Sequence, residues 1–247
     1  HDRPPFSLSL LQACVGKLWP VLLAISLASP GRADISVLKA AADVRIQAVT
    51  ERVVRWRRDI HQHPELGNQE FRTAALVAAH LESLGLVVET GVGGTGVVAN
   101  LRGAQAGPVL ALRADMDALP VREAVDLPFA SRASALWRGE RVDVMHACGH
   151  DNHTAILMGV AEVLTGLAPQ LAGSVRLIFQ PAEEGVPGAT VAGAELMRNE
   201  GVLDGVDAVI GLHVGAAPLG SIGYRSGPLM ASADGFEIVV RGTATHA

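Results

Sequence analysis

The 247-residue chain has only two cysteines, Cys14 and Cys148, one tyrosine, and aromatic residues at 4% of its length. Two cysteines permit at most one disulfide, which excludes a disulfide-stapled scaffold. So few aromatics speak against a ring-rich binding surface and suit helices packed closely on a sheet. Basic blocks are also missing, and the net charge is −5. Electrostatics therefore give no reason to expect nucleic acid as a partner. Beyond the first 35 residues no apolar run is long enough to span a membrane. What is there in quantity is hydrophobic side chain, 49% of residues. That is enough for a sizeable core in one large domain or two small ones.

The segment "KLWPVLLAISLASPGRAD" has its own pattern. Lys17 precedes an apolar run from Leu18 to Ala28, and small residues follow. Gly31 and Ala33 stand at the −3 and −1 positions of a cleavage after Ala33. This reads as a secretory signal peptide, with residues before Lys17 as an upstream extension. A short buried helix is disfavoured, because Pro20 and Pro30 bracket the run. "LQAC" at 11–14 resembles a lipoprotein cleavage box, but its apolar run is too short. The expectation is export to the periplasm or medium, with no membrane association in the mature form; a retained leader would mean the cytoplasm. Cleavage after Ala33 leaves Cys148 alone, so no internal disulfide can form.

A long helix is expected from Asp34, its N-cap, with Val49, Val53, Trp56 and Ile60 on one face. Pro64 and Gly67 end it. A second helix runs from about Gln69 to Leu84 and stops at Gly85. Strands are expected at "LVVET", "GVVANL" and "PVLALRAD", then a helix from about Asp151 to Leu164. "SVRLIFQ" reads as a buried strand, a helix lies near 190–200, and "DAVIGLHV" reads as another strand, with His213 inside it. "FEIVVRGTATHA" starts one more. Alternation of this kind predicts an α/β domain with helices on both faces of a sheet. "GVGGTG" at 91–96 matches a dinucleotide fingerprint, but β-branched "VVANL" follows where a helix must open. A glycine-rich turn between two strands is the better reading.

The chemistry concentrates at strand ends. "MHACGHDNH", residues 145–153, holds three histidines, an aspartate and Cys148. Cys148 and His150 form a C-x-H pair whose thiolate and imidazole suit zinc or another transition metal. The plain alternative is a helix N-terminus with exposed histidines. "LIFQPAEEG" ends a hydrophobic strand in Glu183 and Glu184, which repel unless they share a cation or a proton. "LALRADMDALP" delivers Asp115 and Asp117, two residues apart and on one face. His213 in an apolar strand is by itself more often a satisfied core residue. Four strand ends loaded with ligand-type residues together point to a metal site.

"RRDIHQHPELGNQEFRTA", "LRADMDALP", "HACGHDNH", "QPAEEG" and "GLHV" resemble, in order, motifs of the metal-dependent N-acyl-amino-acid amidohydrolases. That group includes hippurate hydrolases and plant auxin-conjugate hydrolases, within the wider aminoacylase/carboxypeptidase family. The resemblance runs from about Val53 to the end. It implies an α/β catalytic domain with an inserted, smaller α+β domain serving as lid and dimer interface. It implies two divalent ions, manganese or zinc, with Cys148, His150, Glu184 and His213 as ligands. Glu183 matches the general base, Asp117 an aspartate orienting a ligand, and His246 a lid histidine that polarises the substrate carbonyl. Other branches place a histidine ligand where Asp115 stands and a bridging carboxylate where Cys148 stands.

On this reading residues 1–33 are signal and extension, 34–233 the front of the catalytic domain, and 234–247 the start of the lid. The family's remaining histidine ligand comes from a later part of the catalytic domain. The chain on its own is therefore expected to fold poorly and to be inactive. The implied function is hydrolysis of the amide bond of an N-acyl amino acid, a small-molecule substrate, by a homodimer of the whole protein. Runners-up are a dipeptidase or an amino-acid deacetylase using the same site. A non-catalytic metal-stabilised binding protein is disfavoured by the retention of both glutamates, and a zinc deaminase by the lack of C-x-x-C. Export predicts a mature N-terminus at Asp34. N-terminal sequencing of secreted protein checks it, and an intact leader on cytosolic protein would overturn it.

Overall fold

The computed structural model describes residues 35–189, 191, 193–230 and 238–243. The signal segment, the Asp34 cap and His246 lie outside these residues. The chain divides into two compact units, His1–Val214 and Gly215–Ala247.

In the first unit, α1 (Ile35–Gln62) and α2 (Phe71–Ser83) precede strands β1 (Val87–Val92), β2 (Gly96–Arg102) and β3 (Gln105–Asp115). A small antiparallel hairpin, β4 (Ser134–Trp137) and β5 (Glu140–Asp143), comes next. Then follow α3 (His150–Leu167), a 3₁₀ turn, β6 (Ala172–Gln180), α4 (Gly193–Asn199) and β7 (Ala208–Gly211). The main sheet has the order β1-β2-β6-β3-β7. β1, β2 and β6 pair antiparallel, whereas β3 runs parallel to both β6 and β7. Within "GVGGTG", residues 93–95 form the turn of the β1–β2 hairpin and the flanking residues belong to the two strands; the expected turn between strands is there, and no helix opens.

Both faces of the sheet are covered, which is why β6 could be written as a nearly continuous apolar run. Its alternate side chains feed two cores. Leu177 and Phe179 face α1, α2 and α3, with Ile60, Val77, Leu81, Val97, Met116 and Met158. Ile178 faces the other way, with Val98, Ala111 and Met197 of α4. α1 lies against α3 through Val49, Val53, Val163 and Leu167. The α/β expectation thus holds, in a mixed sheet.

Three details differ from the sequence reading. The β4–β5 hairpin was not expected. It turns at Arg138 and Gly139, both at positive φ (52° and 84°), which suits a two-residue hairpin turn. β7 stops at Gly211, so His213 lies beyond the strand and is exposed instead of sitting inside a buried one. β7 is one of the two edge strands of the sheet, and all four of its residues are exposed. In the second unit, 238–243 forms no strand, because no ladder pairs with it among the described residues. The rest of that expected strand lies outside them.

Phe179 is fully buried at the centre of the larger core. Phe179→Ala should cost about 3–5 kcal/mol, the usual sum of lost transfer energy and cavity. Urea unfolding of the full-length protein checks it, with the midpoint falling at constant slope.

Candidate metal centre

The register of β3 assembles the site. Asp115 pairs with Gln180 of β6, and Arg113 with Gly211 of β7. Three parallel strands therefore end side by side, and the loops leaving them carry Asp117, Glu183 with Glu184, and His213. The carboxyl ends of parallel strands are where open α/β sheets bind ligands. The fourth contribution is the start of α3. Gly149 sits just before the helix at φ 89°, and a Cβ there would lie 2.4 Å from Val214 Cγ2. Only glycine fits both conditions, and it turns Cys148 and His150 toward one point.

His150 is fully buried. Its Nδ1 lies 3.2 Å from Asp117 Oδ1, while its Nε2 has no hydrogen-bond partner. That bare atom stands 3.7 Å from Asp115 Oδ2 and 3.8 Å from both a Glu183 and a Glu184 oxygen. Cys148 Sγ is 3.3 Å from His213 Nε2. Asp117 is the brace between the two halves: its other oxygen accepts the Glu184 backbone N–H at 2.9 Å. Burial alone would lower the His150 pKa, but the Asp117 hydrogen bond and the charges of Asp115, Asp117 and Glu184 outweigh it and raise it. Positive charge is favoured at Nε2, whether a proton or a cation supplies it.

Two neighbours respond to the same surplus of negative charge. Burial, then the Glu184 hydrogen bond and charge, push the Cys148 thiol up to about 12. Burial, then the Glu184 carboxylate, raise Glu183.

These residues fit divalent metal. Ligand atoms of Cys148, His150 and His213 lie within 4.8 Å of one another, and so do those of His150, Glu183 and Glu184. Atoms around a tetrahedral ion with bonds of about 2.0–2.3 Å sit about 3.3–3.8 Å apart, a range that includes the 3.3 Å from Cys148 to His213 and the 3.8 Å from His150 to each glutamate. Of the residues expected from sequence, Cys148, His150, Glu183, Glu184, His213 and Asp117 all converge, and His246 lies outside the described residues. Glu183 and Glu184 stand equally far from His150, so distance alone does not divide their roles.

The same region contains three groups that sequence reading missed. His153 bonds Asp115, and His61 is buried between Asp151 and Glu123 at 2.9 and 3.1 Å. The Asp151 hydrogen bond is the main reason the His61 pKa is raised. Arg57 Nε adds an ion pair with Asp151 at 2.7 Å, off the line of a hydrogen bond. Glu70, in "PELGNQEF", is fully buried; Thr95 bonds one oxygen, and the other accepts the Ala182 N–H at 2.8 Å. Ala182 has φ 48°, unusual for a residue with a side chain. Glu70 thus ties down the strained corner just before Glu183. The one available signal for His153 was its place three residues after His150, on the same helix face. The histidines of "MHACGHDNH" are buried, so the exposed-histidine alternative does not hold.

By sequence, residues 111–242 match peptidase family M20/M25/M40. The chain belongs to that family. Similar members are an N-acetylcysteine deacetylase of Bacillus subtilis, 44% identical, and an N-acyl-L-amino acid amidohydrolase of Geobacillus stearothermophilus, 45% identical, each over 203 residues and 81% of this chain. The chain spans about half the length of these relatives, 50% and 51%. A similar solved M20 structure is the Bacillus subtilis YXEP protein, described as a dinuclear metal binding peptidase. It is 43% identical, with a TM-score of 0.66 over 74% of this chain and 48% of that one.

Burial raises Glu70 to about 7. The fold therefore keeps its proton after the unfolded chain has released it. Stability present below about pH 4.5 should fall as pH rises toward 7, by about 3 kcal/mol in total. Glu70→Gln can still accept from Ala182 and donate to Thr95. It should fold and remove that component, so wild-type and variant stability curves should converge at low pH and separate above about pH 5. Parallel curves would overturn the assignment.

Proposed function

We propose that the full-length protein hydrolyses the amide bond of N-acyl amino acids. The observation that carries this reading is the meeting of the buried, unpartnered His150 Nε2 with the adjacent carboxylates Glu183 and Glu184. The named activities of the relatives support the substrate class. Cys148, His150, Glu184 and His213 would hold two divalent ions, manganese or zinc, with a further ligand from later in the full-length protein. When bound, such ions polarise the amide carbonyl and make water more acidic. Glu183 takes the proton from the attacking water and hands it to the leaving amine nitrogen. Its raised pKa suits a carboxyl that must hold that proton between the two steps. Asp117 keeps His150 and the Glu184 backbone in register while this happens. His246 polarises the carbonyl from the lid, through which the protein dimerises, and the leader directs it out of the cytoplasm.

An amino-acid deacetylase is the same reaction with acetyl as the acyl group. The deacetylase among the relatives makes an N-acetyl amino acid the first substrate to try. A dipeptidase would use the same residues.

The two glutamates should fail differently. Glu183→Gln keeps size and polarity but cannot accept a proton, so kcat should fall by at least about a hundredfold with metal content and KM little changed. Glu184→Gln removes an anionic ligand, so metal content should drop and added metal should restore part of the rate. Metal stoichiometry and kcat of both full-length variants check this. Metal loss in Glu183→Gln alone would reverse the roles; normal rates in both would defeat the mechanism.

A further inference from the structure

We propose that His153 is the positioning residue that sets His213 as a metal ligand, acting through Val214. The inference rests on the metal-centre reading and concerns this chain's own residues.

His213 needs such support. β7 ends at Gly211, two residues earlier, and the side of His213 is exposed. The sheet ladder therefore does not fix it. What fixes it is Val214. His213 Nδ1 lies 2.6 Å from the Val214 carbonyl, which can only accept, so the proton sits on Nδ1. That leaves Nε2 bare and turned toward Cys148 Sγ. Val214 is itself held at its other end, because its N–H donates to His153 Nε2 at 2.9 Å. Accepting there requires His153 to carry its own proton on Nδ1, which lies 2.6 Å from Asp115 Oδ1. Asp115 is in turn fixed by Arg113 Nη1 at 2.7 Å. The Val214 side chain closes the clamp against Gly149, where no Cβ fits. The chain of orientation thus runs Arg113, Asp115, His153, Val214, His213, and it sets the tautomer at both imidazoles. The rings of His153 and His213 also meet edge to face, 4.7 Å between centroids.

His153 lies close enough to Asp115 and His150 to be taken for a ligand itself. Both of its nitrogens are already committed, and ligation would strip the Val214 N–H of its acceptor. The geometry gives it the supporting role.

The test uses the full-length protein stripped of metal and titrated with zinc against a chromophoric chelator. His153→Gln keeps an acceptor where Nε2 stood; His153→Asn keeps only a partner for Asp115. His153→Gln should hold zinc within about threefold of wild type. His153→Asn should weaken one of two ions by about ten- to a hundredfold, the usual effect of losing a ligand's supporting partner. In a His213→Ala background, His153→Asn should add no further loss, since its effect runs through His213. Melting temperatures of the metal-free variants accompany each titration. Unchanged affinity in His153→Asn, equal losses in both variants, or a full additional loss without His213 would each overturn the proposal. Wild-type protein that takes up no zinc would instead overturn the metal centre itself, and this inference with it.

Discussion

Strand β3 runs parallel to β6 on one side and β7 on the other, so three strands leave the sheet at the same edge. A slip of one residue would send Asp115 and Asp117 to the opposite face. The two cores guard against that slip, because Leu177 and Phe179 on one side and Ile178 on the other lock β6 against both layers of helices. The site is a by-product of that register: apolar burial decides the alignment, and the polar loops inherit it.

The polar layer then solves a problem that the apolar one creates. Asp115, Asp117, Glu70 and Asp151 are all buried, and each must find donors or neutralise. Asp115 finds Arg113 and His153, Asp117 finds His150 and a backbone N–H, and Asp151 finds His61 and Arg57. Glu70 has a hydroxyl and backbone N–H groups as partners, and burial raises its pKa to about 7. Against their burial, histidine hydrogen bonds hold Asp115 and Asp151 below the usual carboxylate range, and these acids orient imidazoles, while Glu70 serves as a hydrogen-bonded post.

Much of this was legible in sequence where the signal was local. Helix periodicity located α1, α2 and α3 to within a few residues, and the run "SVRLIFQ" announced a strand covered on both faces. Residue type alone pointed to a metal site at the strand ends through Cys148, His150, Glu183 and Glu184, whereas His213 entered the set through the family resemblance. "SALWRGERVD" escaped notice because its strands are four residues long and carry charges. "DAVIGLHV" misled about its end, since an apolar run does not reveal whether it lies at a sheet's rim. His153 had only its i+3 spacing from His150 as a signal. Glu70 and His61 were out of reach for a different reason: their importance lies in partners distant in sequence, which no spacing rule encodes.

That distance has a consequence for the order of events in folding. Cys148 and His213 are 65 residues apart in sequence, His153 and Val214 61, Asp117 and Glu184 67, and Glu70 and Ala182 112. Closing such loops costs entropy before any contact rewards it, and chains rich in them fold slowly. During synthesis, which proceeds from the N-terminus, Cys148 and His150 leave the ribosome tens of residues ahead of His213. The β1–β2 hairpin and the packing of α1 on α3 can form in that interval, but the cluster cannot close until β7 has docked beside β3. The chemistry is thus the last part of this unit to be assembled, on a scaffold already set by its core.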